Sequence, residues 1–142
     1  MRTKKVNRYY CDFCKKAGLS APHMARHEKS CTMNPNRVCR VCGMIDNQQM
    51  PMAELLVMLP NPMDYNNGSY GDIAFDEYLT IEANKALVEL RQRSGNCPAC
   101  ILAAIRQKKI PVPMVTDFNF TKEMKAIWDN INEARYETYG NP

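Results

Sequence analysis

The sequence predicts a small α+β protein stapled by metal, with a short basic N-terminal module ahead of a mainly α-helical domain, and three observations predict it. Seven cysteines and one of the two histidines sort into two four-membered sets, Cys11, Cys14, His27 and Cys31, then Cys39, Cys42, Cys97 and Cys100, and no thiol is left over. The stretch up to Cys42 carries few large aliphatic side chains, so it cannot bury enough apolar area to fold unaided. The remainder carries Leu, Ile and Val at helical spacing. A structural zinc ion takes four ligands in a tetrahedron, and two cysteines separated by two residues can hold one ion from a single tight turn. The expected cofactors are therefore two Zn2+ ions. Because a four-ligand site has no open position, neither is expected to be catalytic.

Composition narrows the class further. A chain of 142 residues with 45% hydrophobic content falls in the ordinary globular range. The net charge of +4 hides an asymmetry: residues 1 to 40 hold ten Lys and Arg against two acids, Asp12 and Glu28, whereas the remainder holds nine against thirteen. The basic end is a candidate surface for a polyanion. No apolar run approaches the ~18 residues of a membrane span, and Met1 to Tyr10 is basic and polar, so neither an anchor nor a signal peptide is expected. Paired cysteines in a reducing, cytoplasmic setting are more often metal ligands than disulfides.

The elements follow in order. A basic arm over residues 1–8 leads to the first metal module, residues 9–33, and a helical domain with the second site occupies residues 34–142. Asn34-Pro35 in the connector favours a turn, since Pro35 cannot continue a helix. Met52 to Leu59 reads as a short apolar helix behind Pro51, closed by Pro60 and Pro62, and a Gly-containing polar loop spans Asn61 to Gly71. Phe75 to Arg93 has Tyr78, Ile81, Leu87, Val88 and Leu90 between charges, a helical pattern that Ser94-Gly95 ends. Cys97-Pro98-Ala99-Cys100 runs into Ile101 to Ile105, which puts Cys100 in the first turn of a helix whose positive end favours thiolates. Pro111 and Pro113 predict an extended stretch, and Thr121 to Tyr139 a last helix with Met124, Ile127, Trp128, Ile131 and Arg135 on one face.

The pattern Tyr9-Tyr10-Cys11-x2-Cys14-x12-His27-x3-Cys31 resembles a Cys2His2-type zinc finger, in the variant with Cys as the last ligand. Met24 falls where that family keeps a Leu, but Gly18 occupies its usual Phe position, so Leu19 is expected to fill the gap. His23 competes with His27 as a ligand, yet only eight residues separate it from Cys14, which is short for this fold. The resemblance implies a ββα finger whose base-reading side chains are Ser20, His23 and Arg26. Arg26 could bridge a guanine edge. Lys15, Lys16 and Lys29, with Arg2, Lys4, Lys5 and Arg8 of the arm, are suited to phosphate.

The second set is more widely spaced, with 54 residues between Cys42 and Cys97. The knuckle Val38 to Gly43, paired with cysteines at a helix start, resembles a treble clef with a helical insertion, Gly43 relieving the turn behind the second thiolate. A thioredoxin-like dithiol at Cys97 and Cys100 would need a strand before it and would strand Cys39 and Cys42. Both histidines lie in the first module, so a His-based active site has no material, and Asp76-Glu77 reads as helix-start charge. The expectation is a non-enzymatic zinc protein that binds nucleic acid, DNA over RNA, without a small-molecule substrate. The alternative is a protein-interaction adaptor, inhibitor or structural component, of the kind found among phage and bacterial accessory proteins, using its methionines and last helix.

Overall fold

The computed structural model describes residues 1–65 and 73–139. Residues 1–8 have no regular secondary structure and are exposed throughout. Strands β1 (Tyr9–Tyr10) and β2 (Ala17–Gly18) pair antiparallel, with Tyr9 opposite Gly18 and Tyr10 opposite Ala17. Helix α1 (Ala21–Ser30) follows at once. Its start is set by Ser20, whose hydroxyl accepts from the His23 N–H at 3.4 Å, and by Pro22 in the first turn, where a missing N–H costs nothing.

The core of this first module is small: Cys11, Met24 and Cys31 are buried, with Tyr9, Cys14 and Met33 against them. Leu19 does not fill the space expected of it, because it is 67% exposed. Met24 covers the position instead, its Cε lying 4.0 Å from where a Cβ on Gly18 would stand.

The larger core is organised around helix α5 (Pro98–Gln107), in which every residue from Pro98 to Ile105 is buried. A helix apolar on all sides must be surrounded. Helix α3 (Met52–Leu56) supplies Met52 and Leu55, helix α4 (Ile73–Arg93) supplies Ala83, Leu87 and Leu90, and Ile110, Val115 and Phe118 close the far end. Helix α3 is shorter than the sequence predicts, because Val57 to Leu59 continue as turns with Leu59 still buried. The loop expected over 61–71 opens with a 3-10 turn at Pro62–Tyr65, and its residues from 66 on lie outside the described part.

The buried face of α4 differs from the expected one. Leu79, Ala83, Leu87 and Leu90 face inward, whereas Tyr78, Ile81 and Val88 are exposed. Small Ala83 marks the inward face, and an apolar count weighted toward large side chains passes over it. Between Pro111 and Val115 the chain forms a 3-10 turn, Val112–Met114, rather than an extended stretch. The two prolines pre-set the φ that such a turn needs.

Helix α6 (Phe120–Tyr139) begins one residue earlier than predicted, because Asn119 caps it. The Asn119 Oδ1 accepts from the Lys122 N–H at 3.0 Å, and Glu123 reaches back to the Asn119 N–H at 3.1 Å. Phe120, Met124 and Ile127 pack on the core, while Trp128 and Arg135 are exposed. Arg91, near the end of α4, binds α6 through both carboxylate oxygens of Glu123, donates to the Asp117 carbonyl at 3.0 Å and lies over the Phe118 ring.

The turn between the modules is docked rather than free. Asn34 donates to the Glu28 carbonyl at 2.7 Å, and the Val38 N–H donates to the Lys29 carbonyl at 2.7 Å. From α5, Gln107 donates to the carbonyls of Thr32 and Asn34, and Arg106 to the Thr32 hydroxyl. Short polar links on both sides leave the first module little freedom to turn.

Replacing Arg91 with Ala removes this clamp, and a loss of about 1–2 kcal/mol is expected for a partly exposed pair with additional hydrogen bonds. Burial opposes ionisation of Glu123, but its bonds with Arg91 and the Asn119 N–H outweigh that and hold its carboxyl below the usual range. A depressed carboxylate contributes stability above its unfolded pKa and loses it as pH falls through the folded value. Thermal melts of wild type and Arg91→Ala should therefore differ most at neutral pH, and the difference should shrink as pH falls through the folded value of Glu123.

Candidate metal centres and the basic face

The first cluster is assembled from three local elements. The Cys11 N–H bonds to the Lys16 carbonyl at 3.0 Å, closing the turn between β1 and β2 so that Cys11 and Cys14 face the same way. The Phe13 N–H points at the Cys11 sulfur and the Lys16 N–H at the Cys14 sulfur, each at 3.4 Å. Burial opposes ionisation of Cys14, but hydrogen bonds such as that from the Lys16 N–H outweigh it and hold this thiol below its usual range. His27 approaches from the last turn of α1, its Nε2 3.2 Å from the Cys14 Sγ, and Cys31 caps that helix. His23 stands outside the cluster, exposed, with its Nδ1 3.0 Å from the Arg26 guanidinium.

The second cluster is fully buried. Cys39 precedes helix α2 (Arg40–Met44), and its sulfur accepts the Cys42 N–H at 3.4 Å. Cys97 caps α5 and Cys100 lies in its first turn. The pairs come together across the fold, with Cys39 to Cys97 and Cys42 to Cys100 both 3.5 Å apart between sulfurs. That is far beyond the ~2.05 Å of a disulfide and close to the roughly 3.8 Å edge of a zinc-thiolate tetrahedron with bonds of ~2.3 Å. Within each set all four ligand atoms lie within 4.8 Å of one another, so both sets can hold a metal ion.

Electrostatics point the same way. Bonds from the Cys100 and Cys97 thiols hold Cys39 well below the ordinary thiol range, whereas its own bonds with Cys39 and Cys97 push Cys100 well above it. Burial pushes the Cys31 thiol up to about 11. Without a cation, each cluster must keep protons on some of its sulfurs. A divalent ion fits the donor set because it lets all the thiols ionise together.

Polar groups beyond the ligands fix the second cluster. Asn47 donates to the Cys42 sulfur at 3.4 Å and to the Ser94 carbonyl at 2.8 Å, tying the two cysteine-bearing segments together. Gln49 accepts from the Cys39 N–H at 2.6 Å and donates to the Arg37 carbonyl at 2.7 Å. Neither residue is marked by any spacing rule, so sequence reasoning missed them. Gly43, expected to relieve the knuckle, lies in α2 with open space where its Cβ would be. The glycine that geometry requires is Gly95, at a φ of +65° and pressed against Asn47. Helix α4 and a turn precede Cys97, so no strand leads into the Cys-Pro-Ala-Cys pair.

Beside the first cluster lies an open groove whose lining includes Lys16, Ser20, His23, Arg26, Ser30 and Arg40. Ser20, His23 and Arg26 thus line one groove together, while Lys15, Lys29 and the arm residues Arg2, Lys4, Lys5 and Arg8 are exposed and do not line it. Arg40 was not anticipated. It belongs to the second module and reaches back to the Arg26 carbonyl at 3.4 Å.

Native mass spectrometry should find two zinc ions per chain. Cys42→Ser should lose one of them and much of the far-UV helical signal, because each structural site contributes on the order of 10 kcal/mol to folding. Cys14→Ser should lose the other ion and leave the helical domain folded. Acidification should release both, since the ligand sulfurs must stay deprotonated. No family model matches the chain, and neither a curated protein nor a solved structure matches it.

Proposed function

We propose that this is a non-enzymatic zinc protein, that residues 9–31 form a Cys-Cys-His-Cys finger of the ββα type, and that the finger binds nucleic acid, DNA over RNA. The observation that carries this reading is the placement of α1. The second module docks on the C-terminal half of α1 through bonds from Asn34, Val38 and Arg40 to the Glu28, Lys29 and Arg26 carbonyls, leaving the His23 and Arg26 side chains exposed. Fingers of this type present that half of the helix to the major groove. Lysines and arginines on the hairpin, the helix and the arm then surround it with positive charge. The second cluster acts as a treble-clef-like scaffold, and four ligands at each centre leave no position for chemistry. No described helix is long and apolar enough to cross a membrane. A reducing compartment suits seven unpaired thiols.

A second reading has its own observation. Tyr78, Ile81 and Val88 on α4 are exposed, as are Trp128 and Tyr136 on α6, and such side chains suit docking to a protein partner.

Salt separates the two. With about four phosphate contacts, affinity for duplex DNA should fall roughly a hundredfold between ~50 and ~200 mM salt, whereas apolar docking should change little. Arg26→Ala should cost about 1–3 kcal/mol of preference at one base position. Loss of Lys4, Lys5 and Arg8 should instead weaken all sequences alike. A gel shift on random-sequence DNA and RNA that shows no complex at the lowest salt sinks the nucleic-acid reading.

A further inference from the structure

Arg37 is only 6% exposed. Among the described residues no carboxylate pairs with it, and its Nε has no hydrogen-bond partner. Its one side-chain bond to a described residue runs from a terminal guanidinium nitrogen to the Cys100 sulfur at 3.7 Å. The backbone on either side is pinned, because the Arg37 N–H donates to the Asn34 carbonyl at 3.2 Å and its carbonyl accepts from Gln49. Fold and turn together hold the guanidinium against the sulfur cluster.

An arginine remains protonated at any physiological pH, and burying such a charge without a counter-ion is strongly unfavourable. Four neutral thiols, or two disulfides, would give it none. Four thiolates around a divalent ion carry two net negative charges, themselves costly in a core, and a neighbouring cation offsets half of that.

We infer that Arg37 is a positioning residue that supplies the counter-charge of a dianionic four-thiolate metal centre at Cys39, Cys42, Cys97 and Cys100, and so sets how tightly that centre holds its ion. The inference rests on the cluster binding a divalent metal. It assigns Arg37 to the metal rather than to nucleic acid, although the residue lies in the basic N-terminal segment. The guanidinium leaves the ligand set complete and acts through the Cys100 sulfur.

The test is Co2+ uptake by the whole reduced chain, followed by thiolate-to-cobalt absorption and by competition with a chelator, for wild type, Arg37→Met and Arg37→Lys. The two centres are told apart by their different visible spectra. Arg37→Met should weaken the four-cysteine centre at least about tenfold, the range seen when groups bound to metal ligands are removed. The Cys-Cys-His-Cys centre should keep its affinity, and Arg37→Lys should retain most of the lost binding. Methionine preserves length and apolar contact and lysine preserves charge, so a packing role predicts the opposite ranking. The inference is overturned if Arg37→Met binds as tightly as wild type, or if both variants weaken equally. A wild-type chain that takes up cobalt only at the first centre overturns the premise that the second cluster holds metal at all.

Discussion

Two cysteine pairs separated by 54 residues meet at one buried point, and the placement of the larger core follows from that meeting. Cys97 and Cys100 fix the start of α5, the helix against which α3, α4 and α6 pack. Cys39 and Cys42 fix the turn that carries the first module. A single centre therefore sets both where the core begins and where the N-terminal module is attached. Hydrophobic burial alone would leave this junction poorly specified, because the segment from Asn34 to Met50 buries little beyond Val41, its cysteines and the polar Asn34 and Arg37.

The two centres differ in what surrounds them. The second has no exposed ligand and is ringed by Asn47, Gln49 and Arg37, each of which holds a ligand or the backbone next to one. The first has two half-buried ligands and a core of three buried residues. In the first module a bound metal would take the place of a core. In the second it would be embedded in one, so that the surrounding packing and the coordination would support each other.

Much of this was legible in the sequence because cysteine spacing is a discrete signal. Both ligand sets and the place of Cys100 in the first turn of α5 follow from counting residues. The rest depended on quantities that counting does not carry. Ala83 marks the buried face of α4 by being small, the Asn119 cap starts α6 one residue ahead of the predicted Thr121, and Leu19 lies exposed because Met24 had already taken its place. Arg40 joins the basic groove only because the docked turn brings the second module alongside α1. A long-range contact of that kind has no local pattern to betray it.

Arg40 also immediately follows Cys39 in the chain, as the first residue of α2. A ligand of the buried centre and a cation of the open groove are thus consecutive residues, and the α2 turn that orients one orients the other. An ion held at the buried centre would therefore be coupled to the charge presented at the groove, with no contact between the metal and whatever rests there. By linkage, an anion resting on Arg40 would feed back with equal free energy on retention of the distant ion, so occupancy of the groove and of the core would report on each other.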